Sequence, residues 1–313
     1  MPEIRSLALM VCTYRRPTSF RAFVGSVCRL TLPEGLRLTL VVADNNPESA
    51  FEHYIGACLD ACPFPSRYGH EPVPGYANAR NLALKLALET DAEILAFVDD
   101  DMLLEPDWLE GQVRSYRELD CDGVSGTIVG HPAKHRHGER RPVTGMGNTS
   151  FKRSWVAPDG LALAFDARFN EMGYEDQAFT RAASEAGMVI RHSDLARIID
   201  PAAIGSDWQA EQMNRALIAA ITRRNQVVAL RREKGYLPAV ASALASLRYG
   251  AKSAGLTGQR LALNALRDGS GAARARISAW KEWRKMVESF RGLVGNPIPR
   301  RDVRRNDDPS LGS

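Results

Sequence analysis

The chain has 313 residues, 44% of them hydrophobic, and a formal net charge of +4. That length allows one large domain or two smaller ones with a buried core, and no run approaches the roughly eighteen consecutive apolar residues of a membrane-crossing helix. Charge is uneven: residues 271–305 hold ten Lys/Arg against three Asp/Glu, or +7, which leaves −3 for the remainder. The five cysteines, an odd number at irregular spacings, fit reduced thiols better than a disulfide framework or a zinc site.

In chain order, "SLALMVCTY" reads as a first strand. Its apolar run is short and leads directly into charged residues, unlike a secretory signal. Phe20, Phe23, Val24 and Val27 then recur at helical spacing, and "LRLTLVVAD" forms a second strand ending in the turn cluster Asp44, Asn45, Asn46 and Pro47. A helix around 50–61, a Pro/Gly-rich loop over 62–75 and an amphipathic helix in "ANARNLALKLALE" follow. Next comes the short apolar run "AEILAFVDD". Strands separated by helices of ten to fifteen residues predict parallel βαβ units, with ligands at the strand C-termini.

Further on, "GVSGTIVG" predicts another strand, followed by the basic loop "HPAKHRHGERRP" and then "TGMGNTSFKRSWV". The basic loop reads either as a mobile, solvated segment or as a lid carrying positive charge to a diphosphate. A helix is predicted over 176–186 with Gly187 as its C-cap. Beyond Trp208 the chain is Ala/Leu-rich and helical to about residue 295. We therefore divide it into 1–205 (halves of about 1–105 and 106–205), a helical extension over 206–295 and a disordered tail over 296–313.

The segment "EILAFVDDDMLLEPDWL" ends a buried strand in three adjacent carboxylates, Asp99, Asp100 and Asp101. Hard divalent cations take oxygen ligands, typically one or two carboxylates plus phosphate oxygens, and such an ion would relieve the repulsion. A solvated acidic turn is the alternative. Glu175 and Asp176 form a second acidic pair at a helix start, a position that favours an anion. An N-cap role is the plainer reading of Asp176.

Five segments in order, "LMVCTYRRP", "LVVADNNP", "GYANARNLAL", "FVDDDMLLEPDWL" and "GNTSFKRS" with "FNEMGYEDQAFTRAASEAG", resemble the family 2 glycosyltransferases over residues 7–200. The resemblance implies the GT-A fold, a Rossmann-like, mostly parallel sheet flanked by helices, here with a helical C-terminal extension. It implies transfer, with inversion, from a nucleotide-diphosphate sugar (UDP-linked by this reading) to a hydroxyl of a glycan, glycolipid or other glycoconjugate. Asp176 would be the base and Glu175 would hold the acceptor. Thr13, Tyr14, Arg16, Asp44, Arg80, Asp99 and Asp100 would meet the nucleotide sugar, with Asp44 at the base. Asp44 has a competing role as a turn former. Asp101 with Asp99 would hold Mn²⁺ or Mg²⁺, and Gly147, Asn148 and Trp208 would lie on the acceptor side. The family's usual later histidine is missing, so His192 or Asp200 is left as a third ligand.

Ile277, Trp280, Trp283, Val287, Phe290 and Val294 make an apolar stripe flanked by cations. It suits packing on protein, a partner subunit or an anionic, lipid-bearing surface. The chain is expected in the cytoplasm, free or peripheral at the inner membrane face, without nucleic acid as a partner. The rival enzyme, a sugar-phosphate nucleotidyltransferase, would want glycines after the first strand, where "CTYRRPTSF" has none. A non-catalytic nucleotide-sugar binder would have no use for Asp176.

Overall fold

The computed structural model describes residues 4–47, 51–132, 134–171 and 173–204, then 220, 223–228, 230–232, 235–246, 278–279, 281–282, 284–289 and 291. The chain divides into two compact units, one of 1–170 with 175–204 and 306–313 and one of 171–174 with 205–305.

The first unit is built on β1 (Ser6–Thr13), β2 (Arg37–Asp44), β3 (Ser66–His70), β4 (Ile94–Val98), β5 (Leu103–Leu104), β6 (Gly123–Val129), β7 (Asn148–Lys152) and β8 (Ile190–Ile199). They form one sheet in the order β3-β2-β1-β4-β7-β6-β8-β5. Six strands share a direction, and β5 and β7 oppose them. The mostly parallel sheet read from the sequence is therefore observed.

Helices α1 (Pro17–Val27), α2 (Glu52–Asp60), α3 (Tyr76–Leu88), α4 (Trp108–Glu118) and α5 (Glu175–Glu185) cover it. Successive side chains of a strand point to opposite faces, and here both faces are apolar. Leu7, Leu9 and Val11 of β1 and Ile94, Ala96 and Val98 of β4 join a core with Phe20, Phe23, Ile55, Trp108 and Val113 from α1, α2 and α4. Ala8, Met10, Leu95 and Phe97 face the opposite way, onto Ala83, Leu84 and Ala87 of α3 and Phe179 and Ala183 of α5. Burial on both faces explains why these strands read as unbroken apolar runs.

Two strands lie where the sequence suggested loops. β3, "SRYGH", is an edge strand with half-buried side chains, so no apolar pattern announces it. β7, "NTSFK", lies inside the sheet with its polar residues buried. Ser150 Oγ donates to Gln112 Oε1 at 2.8 Å and bonds Tyr116 Oη at 3.0 Å, which satisfies it inside the core.

The second unit is described in part. Residues 223–228 and 284–289 are helical, and α7 (Tyr236–Leu244) follows the short α6 (Pro201–Ile204) of the first unit. Arg223 donates to the Ser242 carbonyl and to the hydroxyls of Ser242, Ser246 and Ser289. Of the predicted stripe, Ile277, Trp280, Trp283, Phe290 and Val294 lie outside the described residues. Val287 is half-buried, and Ala279, Glu282, Glu288 and Ser289 are buried. Among the described residues no helix is long and apolar enough to cross a membrane.

Candidate functional site

β1 and β4 are parallel neighbours, with Met10 opposite Phe97, so Thr13 and residues 99–101 emerge together at one edge of the sheet. The alternation of β4 then separates the aspartates. Asp99 shares the parity of Phe97 and meets Arg80 of α3, whereas Asp100 shares that of Val98 and meets Arg16 at the start of α1. Asp100 is 6% exposed in its side chain, against 35% for Asp99 and 32% for Asp101. Thr13 Oγ1 donates to Asp100 Oδ2 at 2.8 Å, and Arg16 Nη1 donates to Asp100 Oδ1 at 3.0 Å and Asp101 Oδ2 at 2.6 Å. Burial pushes the Asp100 carboxyl up to about 6, although Arg16 and the Thr13 hydroxyl favour its charge. Burial also disfavours the Arg16 charge, but Asp100 and Asp101 outweigh it and hold the guanidinium above its ordinary value.

Arg80, expected at the nucleotide, is turned inward. Its guanidinium stands over the rings of Phe97 (5.2 Å) and Phe165 (5.8 Å), its Nε donates to Glu175 Oε1 at 3.1 Å, and its Nη2 reaches Asp99 Oδ1 at 3.4 Å. Only 11% of its side chain is exposed, and 2% of that of Glu175. Glu175, expected to hold the acceptor, is thus committed to Arg80 inside the protein. Phe165 stacks on Phe179 at 4.5 Å, and Phe179 lies one turn along α5 from Glu175. Beneath them burial pushes the Cys12 thiol up to about 12, opposed by Arg80. The aromatic clamp on Arg80 was not read from the sequence, because Phe97 and Phe165 carry no motif.

Asp176 follows Glu175 in the first turn of α5, and its Oδ1 accepts from the Gln177 N–H at 2.7 Å. A β-carbon on Gly145 would stand 3.2 Å from Asp176 Oδ2, and one on Gly147 would stand 3.0 Å from Asp99 Oδ2. Both distances are tighter than ordinary packing, so a side chain at either position would push its carboxylate aside by a few tenths of an ångström. Asp99 and Asp176 therefore lie against glycines two positions apart, about 7 Å of backbone. Gly147 was anticipated, whereas Gly145 was missed, although the Gly-Met-Gly spacing marked it.

Other anticipated residues have protein partners of their own. Asp44 is fully buried. Its Oδ1 accepts from the Asn46 N–H and Nδ2 at 2.9 and 2.6 Å, and its Oδ2 accepts from Tyr68 Oη at 3.0 Å. The turn-forming role is realised, and a base would reach Asp44 only by displacing these partners. Tyr14 is half-buried beneath the Arg15 guanidinium, 5.4 Å from its ring centroid. Asn148 is buried, accepting from Trp108 Nε1 and donating to the carbonyls of Thr127 and Ala196. Trp208 lies outside the described residues.

The basic loop is tied along β8 over residues 138–141. Gly138 N–H donates to the His192 carbonyl, His192 N–H to that of Glu139, and Arg141 N–H to that of Ile190. β7 and β6 stand between β8 and β4.

The donor set suits a hard cation in part. Asp99 and Asp101 present carboxylates at the solvent edge, and an ion of the magnesium type completes its shell with phosphate oxygens and water. Among the described residues no three His, Cys, Asp or Glu could hold a metal together. His192 bonds Asp194 Oδ1 at 3.1 Å, while Asp200 pairs with His131 and accepts from the Ala203 N–H. The chain therefore fits a cation that arrives with phosphate ligands.

Comparison with known proteins agrees with this architecture. The chain is 28% identical over 215 residues to the succinoglycan biosynthesis protein ExoM of Rhizobium meliloti (strain 1021), covering 64% of this chain and 68% of the relative. Its fold is similar to that of the mannosyltransferase PcManGT from Pyrobaculum calidifontis, solved with GDP-Man and Mn²⁺. The TM-score is 0.61 at 16% identity, over 94% of this chain and 88% of that one. S. aureus TarS 1-349 with UDP-GlcNAc aligns with a TM-score of 0.48 at 14% identity, over 88% and 92% of the two chains. The fold is of the GT-A type. A sequence model described as glycosyl transferase family 2 matches residues 8–174, more than half of the chain, which belongs to that family.

Proposed function

We propose that this protein transfers a sugar from a nucleotide-diphosphate sugar to a hydroxyl of a glycan, glycolipid or other glycoconjugate, with inversion at the anomeric carbon. The observation that carries the reading is the packing of Asp176 against Gly145 and of Asp99 against Gly147. One carboxylate belongs to the acid-rich strand end and the other to the helix start, and each packs against a glycine of the same three-residue segment. The relation to a succinoglycan biosynthesis protein supports a polysaccharide or related acceptor.

In this reading Asp101 and Asp99 hold a divalent cation, which supplies Lewis-acid stabilisation of the departing diphosphate when bound. The nearness of Thr13 and Arg16 to the aspartates supports their service to the diphosphate end of the donor. Asp176 takes the proton of the acceptor hydroxyl as its oxygen attacks the anomeric carbon, and the bond to the diphosphate breaks on the opposite face. The Arg80–Glu175 pair links α5 to α3 and lies behind Asp99, which supports a positioning role for both residues. The buried position of Asp44 weakens the case for uracil, so UDP and GDP sugars both belong in the screen.

The test is a thermal-shift screen of nucleotide sugars with Mn²⁺, followed by transfer assays. Asp101→Ala should abolish the metal-dependent shift. Asp176→Asn should keep it and lose on the order of 10²- to 10⁴-fold in transfer rate. Wild-type turnover by Asp176→Asn, or an undiminished Mn²⁺-dependent shift in Asp101→Ala, would remove the assignment.

A further inference from the structure

Arg16 stands where the chain leaves β1, immediately before α1. Its loop is held firmly. Arg15 adopts φ 52°, an unfavourable conformation for a residue with a β-carbon, and its N–H donates to Asn46 Oδ1 at 2.6 Å. A single nitrogen of Arg16, Nη1, serves two carboxylates of unlike character. Asp100 is buried and held a second time by Thr13, whereas Asp101 is about one-third exposed.

From this asymmetry we infer that Arg16 is an exchangeable partner of Asp101. It stays anchored on Asp100, gives up Asp101 to a divalent cation, and turns its released N–H groups to the diphosphate that comes with the cation. The inference rests on the reading of residues 99–101 as a cation and nucleotide site. A guanidinium and a cation compete for the charge of one Asp101 carboxylate, so a cation bound alone weakens the charge-assisted hydrogen bond to Arg16. With a diphosphate present Arg16 exchanges one oxyanion for another, and its planar fork of five donors matches phosphate geometry. Cation and nucleotide then bind with positive coupling, equal in size whichever binds first. Arg16 acts here as a positioning residue, remote from the bonds that form and break.

Electron paramagnetic resonance titration of free Mn²⁺ with the full chain tests this, first without nucleotide and then with UDP and with GDP. Arg16→Gln should bind Mn²⁺ alone on the order of tenfold more tightly than wild type, and the gain in Mn²⁺ affinity on adding nucleotide should shrink by a similar factor. Arg15→Gln removes the same charge one residue away and should leave both quantities near wild type. Arg16→Lys restores a cation to the two aspartates, so it should return Mn²⁺-only affinity to wild type and recover part of the coupling. This variant also shows that the glutamine effect is not a folding defect. Unchanged Mn²⁺ affinity in Arg16→Gln, or an equal rise in Arg15→Gln, overturns the inference. If Asp101→Ala binds Mn²⁺ like wild type, the cation site itself is misassigned. If Asp101→Ala loses Mn²⁺ while Arg16→Gln changes nothing, only the role of Arg16 falls.

Discussion

Two networks in this protein set carboxylates against arginines, and their proportions are opposite. At the end of β4, Asp99, Asp100, Asp101 and Glu175 share Arg16 and Arg80. In the second unit one buried carboxylate, Glu288, gathers Arg224 at 3.4 Å, Arg284 at 3.5 Å and Arg291 at 2.8 Å. The first network has a surplus of anions, and its two most exposed members face solvent. The second buries Glu288 and surrounds it with cations. A surplus of accessible oxygen ligands suits the capture of a cation, whereas a buried counter-ion fixes the positions of helices. The comparison also qualifies the basic tail. Arg284 and Arg291 are engaged with Glu288, and Lys285 lies 3.5 Å from Glu282, so part of the charge counted over 271–305 is already paired within the fold.

The sharpest way to break the first network is Arg80→Met. It leaves Glu175 buried without its guanidinium and removes the contact to Asp99. Breaking a buried ion pair costs about 3–5 kcal/mol, which thermal unfolding should register as a large loss. Replacing both partners, Arg80→Met with Glu175→Met, should recover much of that stability without recovering transfer, because Asp176 is then displaced from residues 145–147. A single variant that melts like wild type would show that the pair does not hold α5 in place.

The matching change in the second network is Glu288→Gln, which keeps the shape and removes the charge. Arg291 is more than half exposed and can turn to water. The loss falls mainly on Arg224 and Arg284, at about 1–3 kcal/mol in chemical denaturation. The Mn²⁺-dependent thermal shift with nucleotide sugar should persist. If Glu288→Gln abolished that shift as Asp101→Ala should, the contrast between a ligand-capturing and a structural network would fail.

What the sequence made legible follows from the same physics. β1, β2 and β4 are buried on both faces, so their apolar runs stand out, and α5 begins within one residue of its predicted start. β3 and β7 were missed because their stability comes from backbone pairing and buried hydroxyl and amide contacts, which leave no apolar period. Among residues 99–101 the order was unreadable, since it depends on which face of β4 each side chain meets and on what stands there. The inward turn of Arg80 depended on two phenylalanines far apart in sequence. Asp44 shows the converse: its turn role was visible in the Asn-Asn-Pro that follows, and that local signal describes its side chain.

The smallest effect we predict concerns the clamp on the basic loop. His192 is buried on β8, with Nε2 between Asp194 Oδ1 and Thr127 Oγ1, and its Nδ1 is buried without a hydrogen-bond partner. Burial lowers its pKa below the ordinary 6.5, more than Asp194 raises it, and Arg141 and His135 add to the lowering. The unfolded chain therefore takes up this proton at a higher pH than the folded one. In the window from about 6.5 downward the unfolded state binds more protons, so the stability contributed by neutral His192 is present above 6.5 and declines as pH falls. One proton limits the slope to about 1.4 kcal/mol per pH unit. His192→Gln keeps a side chain able to donate to Asp194 but does not titrate. Melting temperatures from pH 7.5 to 5 should therefore fall less steeply for the variant than for wild type, while the other histidines titrate in both. Parallel curves would mean that His192 takes up its proton at the same pH whether the chain is folded or not.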